Sequence, residues 1–147
     1  MDDPIVTLVK AVYDDLQSHS FSQAARVIRS QRPNYDRKKD SELRLTVVLM
    51  TPQESVASRG ANWLDVPIHV GIQKGLATCE PEEIDPLFAL VREVRTFLRK
   101  SYRSIGFSFF GMQDIAYFVP DDINEKATFT SVTGFTYRTK IAVPQVP

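Results

Sequence analysis

The pattern that most constrains the fold lies at residues 81–102. Acidic residues open this segment and basic residues close it, as the helix dipole favours, so we predict a helix. Its apolar positions recur at three- and four-residue spacing: Ile84, Leu87, Phe88, Leu90, Val91, Val94, Phe97 and Leu98. Because so wide an apolar arc needs a broad partner to leave water, the sequence predicts a helix packed on a sheet.

A first helix is predicted at residues 4–19. Asp3 suits the N-cap position, and Pro4 suits the first helical position because it lacks an N–H that would go unpaired there. The apolar residues that follow form one stripe at helical spacing: Ile5, Leu8, Val9, Val12 and Leu16.

Alternation of apolar and polar residues predicts strands at 24–32, 43–49, 66–72, 107–119 and 127–140. A turn and charged loop are predicted at 33–40, and another turn at 120–122. Residues 51–65 show no alternation, so we interpret them as a long loop. Such a loop is unusual in a compact domain unless it has a function.

The predicted element order is therefore α-β-β-β-α-β-β. Neighbouring strands joined by loops favour antiparallel pairing. We predict an α+β fold with a mostly antiparallel sheet of four to five strands and two helices packed on one face. The length of 147 residues fits one domain, which we assign to residues 1–141, with a C-terminal extension at 142–147.

Composition limits the function classes. Eighteen basic residues balance eighteen acidic ones, and a formal net charge of zero argues against general nucleic-acid binding while suiting association. Cys79 is the one cysteine, so an intrachain disulfide and the common structural zinc sites are excluded. The acidic start lacks signal-peptide character, and no apolar stretch reaches the ~20 residues of a membrane span, so we expect a soluble chain made in a cytoplasm.

No catalytic constellation is evident. His19 and His69 are the two histidines, and each has an ordinary structural interpretation. The segment 106–111 lacks the spacing of a hydrolase nucleophile motif, and 71–75 lacks the Gly-Lys-Ser/Thr ending of a phosphate loop. We therefore predict a non-enzyme with no cofactor and no metal.

Two features are candidates for protein contacts. Arg92, Arg95, Arg99 and Arg103 recur at helical spacing, which suits either an interface with acidic side chains or nucleic acid, or an ordinary solvated helix face. Trp63 lies with Arg59 in the predicted long loop. A tryptophan there either anchors an interface or folds back onto its own domain.

Four segments together resemble a known family. They are the opening helix at 5–16; the strand ending at 48–52, with the long loop that holds Arg59; the strand at 65–72, which leads to the helix with Pro86 and Leu87; and the closing strand at 129–137. This arrangement resembles the phage tail terminator proteins, small α+β subunits that form a ring at the head-proximal end of the tail tube. The likeness covers nearly the whole chain and is one of pattern rather than of an invariant motif.

The resemblance implies a homohexameric ring that stops tube polymerisation and joins tail to head, without cofactor or catalysis. It implies as partners the chain itself, the tail tube protein, a head-proximal neck or connector protein and, where one exists, a tail sheath. DNA would only pass through the channel, and no membrane is involved. The implied location is the virion, with the host cytoplasm before assembly.

The family supplies no motif residues to transfer, so the interface candidates remain local inferences. They are Arg59, Trp63, Arg92, Arg95 and Arg99, with the mixed-face segment 24–32 as a strand between subunits. Two alternatives stay open. One is another neck or head–tail connector component, and the other is an α+β module that binds a ligand or RNA through Phe107, Phe109 and Phe110.

Overall fold

The computed structural model describes residues 3–30, 42–120, 123 and 127–143. Its helices are α1 (Pro4–Ser18) and α2 (Pro81–Leu98), and a 3-10 turn covers Arg103–Ile105. Its strands are β1 (Arg26–Ser30), β2 (Arg44–Leu49), β3 (Gln53–Ser58), β4 (Ala61–Gly75), β5 (Ser108–Ala116) and β6 (Thr128–Ala142). The α+β prediction is confirmed, whereas the predicted loop at 33–40, the turn residues 121–122 and the end of the extension, 144–147, lie outside the described residues.

The strands form one sheet in the order β1-β2-β4-β6-β5, and β3 pairs with β4 off this path. β1 and β2 are parallel, and the other four pairings are antiparallel. The mostly antiparallel sheet is therefore confirmed. The predicted strand count of four to five is wrong, because the described part of the chain holds six strands.

The extra strand comes from the segment that we interpreted as a loop at 51–65. β3 occupies Gln53–Ser58, turns through Arg59 and Gly60, and pairs back on the first residues of β4. Gly60 has φ +84°, a left-handed conformation that glycine adopts without steric strain. Most side chains of β3 are exposed on both faces, so its sequence has no hydrophobic alternation to reveal a strand.

Both helices contribute to one hydrophobic core on one face of the sheet. α1 supplies Leu8, Val9, Val12 and Leu16, and α2 supplies Leu87, Leu90, Val91, Val94 and Leu98. The sheet supplies Leu45 and Val47 of β2, alternate residues of β4 from Leu64 to Ile72, and Phe129, Phe135 and Tyr137 of β6. The predicted apolar stripes of both helices therefore face the core, as their spacing requires.

Two phenols, Tyr137 buried and Tyr102 partly buried, connect the helices to the rest of the fold. The Tyr137 hydroxyl donates to the Leu98 carbonyl at 2.8 Å, which fixes the end of α2 to β6. The Tyr102 hydroxyl donates to Asp15 Oδ2 at 2.9 Å, which fixes the segment after α2 to the last turn of α1. Burial raises the pKa of both phenols, so both remain protonated donors throughout the physiological range.

The N-cap of α1 gives a first testable prediction. Asp3 accepts hydrogen bonds at its side chain from the backbone N–H of Ile5 at 2.8 Å and of Val6 at 3.3 Å. Asp3→Ala leaves these donors without the side-chain acceptor, so we expect the free energy of unfolding to fall by about 1 kcal/mol. Urea unfolding measures this loss, and Asp3→Ser, which restores a capping oxygen, should recover most of it. Equal losses in both variants would contradict the capping role.

One end of the sheet carries few buried side chains. β3, residues 59–65 and residues 138–143 form a three-stranded segment that we call the arm. Most of its side chains are exposed or half-buried, and Leu64 is its one fully buried side chain. Val56 on its outer strand is 83% exposed. The arm is therefore held by strand pairing and surface contacts rather than by a core of its own.

Candidate interaction surface

The face of the sheet opposite the helices, the outer face, carries a cluster of aromatic and charged residues at the base of the arm. Trp63 and Asp65 of β4 alternate with the core residues Leu64 and Val66, so they point away from the helices. Cross-strand pairing places Lys140 opposite Trp63 and Arg138 opposite Asp65. The register thus assembles this cluster from two strands distant in sequence.

Arg138 and Asp65 form the fixed centre of the cluster. Arg138 Nε lies 2.6 Å from Asp65 Oδ1, and Nη2 lies 2.9 Å from Oδ2, which is a bidentate pair. The hydrogen bond that the Arg138 guanidinium donates to this carboxylate raises the pKa of Arg138 above its ordinary value. The pair therefore holds a permanent cation in one orientation on the outer face.

Aromatic rings flank that cation. The Arg138 guanidinium carbon lies 3.6 Å from the ring centroid of Phe110 and 5.0 Å from that of Trp63. Lys140 Nζ lies 5.0 Å from the Trp63 ring. These distances are within the range of cation–π attraction. We call Trp63, Asp65, Phe110, Arg138 and Lys140 the outer-face cluster.

A shallow cleft of about 430 Å³ adjoins the outer-face cluster. It runs across four strands, and its walls include Gln53, Asp65, Pro67, Phe110, Gln113 and Thr136. The size lies within the range of small-molecule pockets, ~300–1,000 Å³. The cleft combines one exposed ring with amide and hydroxyl groups, which suits a segment of polypeptide or a small ligand.

The structure brings together two of the predicted interface residues. Trp63 lies in β4 rather than in a loop, and Arg59 lies in the turn at the tip of the same arm. Arg92 and Arg99 are exposed on α2 and at its C-cap, on the helical layer rather than on the outer face. The five candidates therefore do not form one continuous surface.

Arg95 lies inside the fold. Its guanidinium pairs with Asp114 at 2.5 Å, donates from Nε to Thr133 Oγ1 at 3.1 Å and lies 4.3 Å from the Tyr117 ring. Only 8% of the residue is exposed. The predicted arginine stripe is thus interrupted, because Arg95 bridges α2, β5 and β6 within one chain.

The three phenylalanines of the RNA-binding alternative do not share a surface. Phe107 is buried, and Phe109 packs edge-on against Tyr137 at 5.9 Å between ring centroids. Phe110 is 54% exposed and lies on the outer face, beside a register shift in β5 that turns it away from the core. A stacking platform of three rings is therefore absent from this strand.

His69 lies on the outer face in the middle of β4, opposite Gly134 of β6. A Cβ atom added at Gly134 would lie 3.2 Å from His69 Cδ2. Partial burial lowers the pKa of His69 below its usual 6.5. Below pH 6.5 the unfolded chain therefore binds more protons than the folded chain, and stability falls as the pH drops to the folded-state pKa.

We expect urea unfolding at pH 5 and pH 7.5 to show this loss at the lower pH. His69→Gln, which cannot titrate in this range, should show a smaller loss. An identical pH dependence in the two proteins would contradict the assignment to His69.

Sequence reasoning missed three members of the outer-face cluster as site residues, namely Asp65, Arg138 and Lys140, and it named Phe110 only in the RNA-binding alternative. The signal for two of them was available, because Arg138 and Lys140 alternate with Tyr137 and Thr139 and so share a face of β6. Their meeting with Trp63 depends on strand register and on Trp63 lying in a strand. Neither could be predicted once residues 51–65 were interpreted as a loop.

No described helix is long and apolar enough to cross a membrane. Within the described ranges, no group of three or more histidine, cysteine, aspartate or glutamate side chains could hold a metal ion. Comparison with models of known protein families and with curated protein sequences found no match to this chain.

Proposed function

We propose that this chain is a structural, non-catalytic subunit that assembles with copies of itself, in the manner of the phage tail terminators that its sequence resembles. In this role it forms a homohexameric ring at the head-proximal end of a tail tube, stops tube growth and joins the tail to the head. The observation that carries the proposal is the arm with the outer-face cluster at its base, in which Phe110 and Lys140 are exposed.

The composition of this surface favours protein contact. Tryptophan, tyrosine and arginine dominate the binding energy of protein interfaces. Here Trp63, Phe110 and Arg138 lie together outside the hydrophobic core. Asp65 fixes Arg138 before any partner arrives, so little conformational freedom remains to be lost on binding.

The edges of the sheet favour the same role. β1, β3 and β5 each pair with a single described strand, so each offers an open sheet edge. An unpaired edge presents backbone N–H and C=O groups that can pair with a strand of another chain. Val56 on the arm is apolar and 83% exposed, so it is suited to burial in an assembly.

The partners follow from the proposed role: other copies of the chain, the tail tube protein, a head-proximal neck or connector protein and, in tails that have one, a sheath. The same surface suits another neck or connector component. Tube-capping activity separates the two, because a terminator blocks elongation of tube protein whereas a connector does not.

The mass of the purified chain over a concentration series tests the assembly proposal. Light scattering after size exclusion should show a species of several subunits whose population grows with concentration. A weak interface can require a tube end as template, so the series includes tube protein. A monomer throughout, with and without tube protein, would overturn the proposal.

The cleft beside Phe110 favours a second candidate, a module that binds a small ligand or single-stranded RNA. Its polar walls and one exposed ring supply the contacts that such a ligand needs. A titration with mixed-sequence RNA at two salt concentrations tests this candidate. Salt-sensitive binding that Phe110→Ala removes would support it, and absence of binding would leave the assembly proposal alone.

A further inference from the structure

The longest feature of the fold has two chemically different ends. β4 and β6 pair over fifteen residues each, and a ladder of this length spans about 50 Å. The arm occupies one end. The start of α2 lies at the other end, near Gly75 and Thr128, because Glu83 there accepts a hydrogen bond from the backbone N–H of Ala77 at 2.8 Å.

The end at the start of α2 is acidic and partly apolar. Glu80, Glu82 and Asp85 are exposed, and none forms an ion pair with a described residue. Ile115 and Phe118 are 44% and 38% exposed at the same end. We call these five residues the acidic end. Phe88, one helical turn beyond Asp85, touches Phe118 edge-on at 5.2 Å between ring centroids, which makes the surface continuous.

The opposite end is basic and aromatic. Arg59 and Lys140 are exposed, and neither forms an ion pair with a described residue. Trp63 lies 5.0 Å from Lys140, and Phe110 stacks on the neighbouring Arg138. We call Arg59, Lys140, Trp63 and Phe110 the basic end. Its exposed acid, Glu54, accepts from Asn62 at 3.4 Å, whereas Lys74 is the cation close to the acidic end.

We propose that copies of this chain associate head to tail, with the basic end of one copy seated on the acidic end of the next. This inference rests on the proposed function and names the two surfaces that carry it. Pairing of two identical ends would oppose like charges, whereas head-to-tail pairing joins cations to carboxylates that have no ion-pair partner among the described residues. Exposed aromatic and apolar side chains on both ends are buried by the same contact.

Head-to-tail contact determines the kind of assembly. Each added copy presents one new acidic end and one new basic end, so growth continues until the ends meet in a closed ring. A ring therefore leaves no copy with an unpaired end, and an assembly that fails to close grows as a filament. Two-fold dimers are not expected, because they would join identical surfaces.

Charge reversal in trans tests the inference. Glu82→Lys with Asp85→Lys gives a copy whose two ends are both basic, and Arg59→Glu with Lys140→Glu gives a copy whose two ends are both acidic. Each variant alone should remain monomeric at concentrations where the unchanged chain associates. An equimolar mixture should associate again, because every contact between the two variants joins opposite charges.

The controls keep each outcome decisive. Lys10→Glu reverses an exposed charge on α1 that belongs to neither end, and it should leave association unchanged. Thermal unfolding of each variant should match that of the unchanged chain. If a reversed variant fails to fold, the neutral pairs Glu82→Gln with Asp85→Asn and Arg59→Gln with Lys140→Gln replace it, each expected to weaken association at least tenfold.

Three results would overturn the inference. Association of either folded variant as tightly as the unchanged chain shows that the charged ends do not meet, although the proposed function survives. A mixture that stays monomeric shows that the two ends are not each other's partners. An unchanged chain that never associates, with or without tube protein, overturns the proposed function together with the inference.

Discussion

Trp63→Ala is expected to abolish self-association of the chain while leaving its fold intact. The Trp63 ring centroid lies 5.0 Å from the Arg138 guanidinium and 5.0 Å from Lys140 Nζ on the outer face, and Trp63 is not part of the hydrophobic core. Truncation of an interface tryptophan typically weakens binding by at least ~2 kcal/mol, which is ~30-fold in the dissociation constant. Sedimentation at a fixed concentration measures the change.

The controls for this prediction separate interface from fold. Trp63→Phe keeps a ring against both cations and should retain most of the association. Arg92→Ala removes an exposed side chain on the helical layer and tests whether α2 also carries contacts. Normal association of Trp63→Ala, with unfolding unchanged, would exclude the outer-face cluster as an interface.

The largest expected loss of stability follows from Phe135→Ala. Phe135 is 0% exposed at the centre of β6, opposite Ile68 of β4 and Met112 of β5. Truncation of a buried phenylalanine removes its transfer free energy and leaves a cavity, together about 3–5 kcal/mol. Since a domain of this size has only ~5–15 kcal/mol of stability, urea unfolding should shift to much lower concentration.

Phe110 provides the matched control for Phe135. The two rings lie on neighbouring strands, but Phe110 is 54% exposed and stacks on Arg138 on the outer face. Phe110→Ala should change the free energy of unfolding by less than about 1 kcal/mol and should weaken association. If Phe110→Ala destabilised the fold as much as Phe135→Ala, the division into core and outer face would be wrong.

Hydrophobic periodicity was enough to predict the two helices and most of the sheet. The stripe from Leu8 to Leu16 and the arc from Leu87 to Leu98 both face the core, and the Asp3 cap was predicted from residue type alone. These elements bury one face each, so burial and sequence pattern agree. The second helix, which we predict to residue 102, ends at Leu98, where the Tyr137 hydroxyl donates a hydrogen bond to the Leu98 carbonyl.

Strands that bury few apolar side chains show no hydrophobic alternation in the sequence. β3 has polar side chains on both faces, so strand pairing alone makes it a strand, and pairing partners are not visible in a local pattern. The outer-face cluster depends on that pairing, because it requires Trp63 to lie opposite Lys140. The parallel pairing of β1 and β2 likewise has no local signature in either strand.

Arg95 shows a second limit of sequence reasoning. Helical spacing placed it in a stripe with Arg92 and Arg99, but spacing does not show where a neighbouring strand approaches. The Arg95 guanidinium forms an ion pair with Asp114 of β5 and lies over the ring of Tyr117, which follows β5. These contacts hold the side chain against the sheet. A charged residue that finds a carboxylate, a hydroxyl and a ring can be buried, whereas Arg92, without such partners among the described residues, stays exposed.

Imaging of the assembled species by negative-stain electron microscopy tests the central claim most directly. We expect closed rings, hexameric as the family resemblance implies, with the arm of each copy in contact with the start of α2 of the neighbouring copy. Two-fold dimers joined through identical surfaces would contradict the head-to-tail contact. Isolated monomers at every concentration, with and without tube protein, would contradict the structural role itself.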